Sequence, residues 1–126
     1  MVTLMRACVL MCLALTACAT PAGNVQALRD VVAGYEGRPA SDLVGALGLP
    51  DNDVALAGER TLLWRNVYTE AGLVTQDITC EVAAELDGDE RIAATSVTSL
   101  DRLGQKRAIG DGYMACRPYL YAVGIH

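Results

Sequence analysis

Residues 74–86 alternate apolar and polar side chains with a period of two. The apolar positions are Ile78, Cys80, Val82, Ala84 and Leu86, while Asp77, Thr79, Glu81 and Glu85 point the other way. This alternation is typical of a strand that has one face on the core and the other in water. The sequence therefore predicts a half-buried strand, with Cys80 on its core face.

Two short segments with helical spacing precede this strand. The first begins after Asn24, a good capping residue, and ends before Gly37. The second begins at Ser41, also a capping residue, and ends at Gly48, with Pro50 just beyond it. The apolar face of the first predicted helix holds Val25, Leu28, Val31, Val32 and Tyr35.

Further strands are predicted over residues 61–68 and 91–100, and a hairpin turn at Asp87-Gly88-Asp89 joins the second of these to the strand at 74–86. Residues 113–121 form either a short helix or an irregular tail. The predicted fold class is α+β: two short N-terminal helices pack on a three- to four-stranded antiparallel meander, with the C-terminal segment pinned by a disulfide. Residues 24–126 make one globular domain.

The N-terminus has the pattern of an export signal. One basic residue, Arg6, is followed by an apolar run that is too short to span a bilayer. The run ends in Leu15-Thr16-Ala17-Cys18, which resembles the bacterial lipobox. The resemblance implies cleavage before Cys18 and acylation of its thiol, so residues 1–17 are a signal peptide and 18–23 a flexible tether. The alternative is ordinary cleavage after Ala19.

The positions of the five cysteines indicate different roles for them. Cys8 and Cys12 lie in the predicted signal peptide, and Cys18 takes the lipid. Cys80 and Cys116 remain as an even pair in an exported chain, which favours a disulfide over two free buried thiols. Zinc is not expected, because the only histidine is the terminal one.

Residues 42–51 read Asp-Leu-Val-Gly-Ala-Leu-Gly-Leu-Pro-Asp. A short helix that ends in this way, followed by a strand with Trp64 and then a hairpin, resembles the SmpA/OmlA (BamE-like) outer-membrane lipoproteins. The resemblance implies a helix-helix-sheet fold and a place at the outer membrane, with the domain facing the periplasm. It also implies a non-catalytic binding or scaffold role for envelope proteins, including outer-membrane assembly.

The composition and the missing motifs argue against several classes of function. The net charge is -5, and an acidic surface repels nucleic acid. No internal histidine, nucleophile elbow, phosphate loop or dinucleotide fingerprint is present. We therefore expect no enzyme, no metal and no cofactor other than the covalent lipid on Cys18.

The expected partners are the membrane, reached through the lipid, and another envelope protein. The contact surface is either an exposed sheet edge or the group Arg117, Tyr119 and Tyr121, since Tyr and Arg are enriched in interface hot spots. The alternative for that group is a tail packed over the sheet. Trp64 is either a core residue or an exposed binding platform.

Two other function classes stay open. The domain could inhibit a periplasmic hydrolase through a rigid exposed loop, at 67–73 or 105–112. It could also be an enzyme or a ligand carrier, which requires a deep apolar pocket beside Trp64.

Overall fold

The computed structural model describes residues 25–71, 75–100 and 111–125. Four antiparallel strands form one sheet in the order in which they occur along the chain. They are β1 (Asn52–Leu56), β2 (Glu59–Glu70), β3 (Gln76–Leu86) and β4 (Ile92–Leu100). The predicted meander is confirmed, because each strand pairs with its neighbour in the sequence.

Three helices accompany the sheet: α1 (Val25–Ala33), α2 (Ala40–Leu47) and α3 (Asp111–Ala122). α1 packs on β4, and α3 packs on β2, β3 and α1. The α+β class is therefore confirmed, and the C-terminal segment is a helix rather than an irregular tail.

The sheet has one buried face, which we call the core face. In β3 it carries the predicted set, and all five of its side chains are buried: Ile78, Cys80, Val82, Ala84 and Leu86. The helices complete the core with Leu28, Leu43 and Leu120. The opposite face, here the outer face, carries only exposed or half-buried side chains among the described residues. The period-two pattern of β3 thus predicted its burial correctly.

A disulfide joins Cys80 in β3 to Cys116 in α3, with 5.1 Å between their Cα atoms. The predicted pairing is confirmed. A second tie lies close by, where the side-chain amide of Asn66 donates to the carbonyl oxygen of Ala115 at 2.8 Å. Both ties hold the C-terminal helix against the core face of the sheet.

The start of α2 corrects the expected cap at Ser41. The helix begins at Ala40, Pro39 occupies the N-cap position, and no side chain caps it. Backbone pairing fixes this start, since Pro39 forms a bridge with Arg91 at the entrance of β4. The fixed φ of proline suits a helix entry. Asn24, the other predicted cap, lies outside the described residues.

The sequence pattern also missed β1, which pairs with β2 from Asn52 opposite Leu63 to Leu56 opposite Glu59. All five residues of β1 are exposed. The segment shows no alternation of buried apolar and exposed polar residues, because β1 lies at the edge of the sheet and none of its side chains is buried. The predicted exit from α2 is correct: Gly48 has a φ of 89° and donates its N–H to the carbonyl oxygen of Val44.

Candidate functional site

β1 lies at one edge of the sheet, and no described strand pairs with its outer side. A two-residue turn, Ala57-Gly58, joins it to β2, and both residues have positive φ, at 53° and 83°. Turns of this type match the twist of a hairpin. β1 therefore forms a short free edge, in which every second residue has its backbone N–H and C=O directed away from β2.

Exposed apolar side chains concentrate around this edge. Leu49 is 86% exposed, Leu56 is 76% exposed and Val54 is 46% exposed. Elsewhere in the described chain, large apolar side chains of comparable exposure are isolated, as Val67 is on the outer face. Exposed apolar side chains near one sheet edge make this edge a candidate interaction surface.

A groove of about 410 Å³ lies between α2 and β1, on the core side of the sheet margin. Val44, Leu62 and Leu86 contribute apolar lining, and Leu49 and Pro50 lie at the exit from α2. Three charged residues complete the lining: Asp53, Arg60 and Glu90. We refer to these eight residues as the β1 groove.

The charged residues of the β1 groove form one ion cluster. Arg60 Nε donates to Asp53 Oδ1 at 2.9 Å, and Arg60 Nη2 to Asp53 Oδ2 at 2.6 Å. Arg60 Nη1 donates to Glu90 Oε1, also at 2.6 Å. Two carboxylates thus share one guanidinium, and one negative charge is in excess. Hydrogen bonding to Arg60 lowers the pKa of the Asp53 carboxyl.

Trp64 positions the end of α2 that borders the groove. Its Nε1–H donates to the carbonyl oxygen of Gly48 at 2.9 Å, and its side chain is only 1% exposed. Of the two interpretations of Trp64, the core residue is correct. On the other side, the carboxylate of Asp51 accepts the backbone N–H of Arg65 at 2.7 Å and fixes the entry to β1.

The opposite edge of the sheet is built differently. Arg29 Nε in α1 donates to the carbonyl oxygen of Val97 at 2.9 Å. The Glu36 carboxylate accepts both the backbone N–H and the hydroxyl of Thr95, each at 3.1 Å. Side chains therefore occupy backbone groups of β4 that another strand would need. No described side chain makes equivalent bonds along the outer side of β1.

The predicted contact group at the C-terminus divides between core and surface. Tyr119 is 8% exposed and belongs to the core. Arg117 and Tyr121 lie on the surface, where Arg117 Nε donates to the Tyr121 hydroxyl at 2.6 Å. The guanidinium also stacks over that ring. Of the three, only Arg117 and Tyr121 are accessible to a partner, and the packed-helix alternative describes Tyr119.

Other predicted features fall outside the described residues. Cys18 and the tether lie there, and so do residues 105–110 and 72–73 of the two predicted loops, whereas residues 67–70 belong to β2 and not to a loop. Within residues 25–71, 75–100 and 111–125, no group of three or more His, Cys, Asp or Glu side chains is arranged to hold a metal ion. None of the described helices has the length and apolar character needed to cross a bilayer.

Comparisons with known proteins identify no relative: no family model, no curated protein and no solved structure matches this chain. The resemblance to the SmpA/OmlA lipoproteins stays a prediction drawn from residues 42–51 and Trp64.

Proposed function

We propose that this chain is a lipid-anchored lipoprotein of the outer membrane whose domain faces the periplasm. There it serves as a non-catalytic binding module for another envelope protein. The observation that carries the proposal is the motif Leu15-Thr16-Ala17-Cys18, which provides an attachment residue directly after an export signal. The role in outer-membrane assembly belongs to the same proposal and follows from the SmpA/OmlA resemblance.

The disulfide supports the export step. Cys80 and Cys116 are both fully buried and bonded, and structural disulfides persist in oxidising compartments such as the periplasm. A lipid on Cys18 keeps the domain near the membrane, and about 0.8 kcal/mol per buried CH₂ makes several acyl chains a durable anchor.

The surface around β1 supports the binding role. It combines three exposed apolar side chains, an apolar-lined groove and a single excess charge, which is the chemistry of a contact surface rather than of a reaction centre. Because the charged groups in the groove bind one another, no side chain there is poised as a general base. The C-terminal pair Arg117 and Tyr121 offers a second, smaller contact area.

Site-specific photo-crosslinking in cells tests the binding role. A photoreactive residue at Leu56 is expected to form an adduct with an envelope protein. The matched control places the same residue at Val67, which is 50% exposed on the outer face of β2, beyond the residues that pair with β1. The adduct is expected to disappear when Cys18→Ala removes the anchor. Adducts of equal yield at both positions, or none at either, would contradict the proposal.

A further inference from the structure

We infer that the outer side of β1 accepts an extended segment of the partner protein as a fifth strand, and that this segment alternates apolar and basic side chains. The inference rests on the proposed binding function and specifies its site and the chemistry of its partner.

The backbone of β1 supplies the pairing groups. Strand addition to a free edge gains main-chain hydrogen bonds, and alternate side chains give the specificity. β1 has five residues and no proline, so none of its backbone N–H groups is missing. It also has no lysine, which natural proteins use to keep other strands away from an edge.

The two faces of β1 differ in chemistry. Asp53 lies opposite Leu62, a core-face residue, so its side chain points to the groove side. Val54 and Leu56 have the opposite parity and project with the outer face. Because an added strand places its own side chains beside those of its neighbour, positions next to Val54 and Leu56 favour apolar residues. Positions next to Asp53 favour cations.

Charge strengthens the preference for a basic segment. Residues 49–59 contain three acidic residues and neither lysine nor arginine. The nearest cation in the groove is Arg60, which is already shared by Asp53 and Glu90. Each carboxylate retains lone pairs beyond those bound to the guanidinium. A lysine or arginine of the partner would neutralise the excess charge of the cluster.

The contrast between the two edges points to β1 rather than β4. Arg29 and Glu36 bind backbone groups of Val97 and Thr95, so an incoming strand at β4 would first have to displace them. At β1 the described chain imposes no such cost. The same sheet thus protects one edge with side chains and presents the other.

The test uses the full-length chain in neutral detergent and three short synthetic peptides. One peptide alternates valine and lysine, one alternates valine and glutamate, and one has the valine-lysine composition with the residues grouped in two blocks. Calorimetry measures the affinities. We expect the alternating valine-lysine peptide to bind at least about tenfold more tightly than either of the others.

Two variants locate the binding. Val54→Lys is expected to weaken the alternating valine-lysine peptide by about tenfold, because it adds a cation and removes the apolar contact. Its matched control, Val67→Lys, makes the same change on the outer face of β2, beyond the residues that pair with β1, and is expected to leave the affinity within about twofold. Amide hydrogen exchange on the unmutated chain is expected to slow in residues 52–56 when the peptide is added.

Equal affinity for the alternating and block peptides, or slowed exchange only at β4 or α3, would overturn the inference. So would equal weakening by the two variants. If the peptide fails while crosslinks at Leu56 persist, strand addition is wrong and the binding function stands. If the peptide binds but no crosslink forms in cells, the edge accepts strands and the proposed function is wrong.

Discussion

Ser99 is a polar residue in the core. Its side chain is 1% exposed, it lies opposite Cys80 in the sheet, and its hydroxyl oxygen has no hydrogen-bond partner in the described chain. A buried hydroxyl without a partner costs about 1–3 kcal/mol of desolvation free energy. The residue thus lowers the stability of an otherwise apolar layer.

We predict that Ser99→Ala raises the free energy of unfolding by about 1 kcal/mol, because alanine removes the unpaired hydroxyl and leaves little space behind. Urea denaturation followed by circular dichroism measures it. Ser96→Ala, an exposed position in the same strand, is the control and should change stability by less than about 0.5 kcal/mol. A loss of stability in Ser99→Ala would show that the hydroxyl has a partner after all.

Tyr119 shows what burial does to a titratable residue. Burial raises the pKa of its hydroxyl above the usual value of 10.0, and the negative charges of Asp51 and Glu81 raise it further. The folded state therefore holds this proton more tightly than the unfolded state does. Its contribution to stability is complete below pH 10 and is lost as the pH rises above that value.

We predict that the free energy of unfolding falls as the pH rises above about 10, the range where an exposed tyrosine ionises. Tyr119→Phe cannot ionise, so its stability should fall less steeply over the same interval. Denaturant titrations at several alkaline pH values measure both slopes. Parallel slopes in the two proteins would mean that Tyr119 titrates as an exposed residue does.

Among the elements, the β1–β2 hairpin has a turn in which both residues have positive φ. Its turn places Ala57 at a φ of 53°, where the Cβ atom of an alanine meets steric resistance that glycine avoids. Gly58 follows at a φ of 83°, which glycine adopts without strain because it has no Cβ atom. The turn that sets the position of β1 therefore has one unfavourable residue.

We predict that Ala57→Gly raises the free energy of unfolding by up to about 1 kcal/mol, through relief of strain at positive φ. Gly58→Ala should lower it by a similar amount, since it adds a Cβ atom at a second such position. Thermal denaturation of both variants gives the comparison. If Ala57→Gly and Gly58→Ala destabilise the protein equally, the turn does not have positive φ at these two residues.

Among the helices and strands, the sequence predicted most accurately those in which buried residues recur at a regular spacing. β3 alternates because one side lies on the core, and its inward residues were identified correctly. β1 was missed because its hairpin turn is Ala-Gly rather than Asn-Gly, and because an exposed edge strand needs no apolar parity. Pro118 lies inside α3. Because a proline removes a helical hydrogen bond, the sequence did not decide between a short helix and an irregular tail for the C-terminal segment.

The candidate site was predicted only in outline. An exposed sheet edge was expected, but neither its strand nor its groove could be named, because Asp53, Arg60 and Glu90 come from three separate segments and meet only in the fold. Tyr119 and Tyr121 were treated as one group, although residues two apart in a helix lie on nearly opposite faces. The segment was left open between a helix and a tail, so this spacing was not used to separate them.

At the scale of the whole molecule, the disulfide joins the C-terminal helix to the sheet over a sequence separation of 36 residues. In the chain-entropy model, a loop of this length stabilises the fold by about 4 kcal/mol. Domains of this size have total stabilities of only about 5–15 kcal/mol. A large share of the stability therefore depends on an oxidising compartment.

We predict that the double variant Cys80→Ala and Cys116→Ala loses about 4 kcal/mol of unfolding free energy. Denaturant unfolding of the variant, compared with the unmutated chain in the presence and absence of dithiothreitol, measures the loss. The variant should match the reduced chain. A change below about 1 kcal/mol would mean that the cysteines are not bonded in the folded protein.

The molecule as a whole has a domain with a disulfide and a free strand edge, and we propose that Cys18, ahead of the first helix, is its lipid attachment residue. The intact mass of the chain purified from bacterial membranes tests the attachment most directly. We predict a polypeptide that begins at Cys18, carries added acyl groups and lacks the two hydrogens lost in the Cys80–Cys116 bond. A chain cut after Ala19, or one that begins at Cys18 with no added mass, would contradict the account.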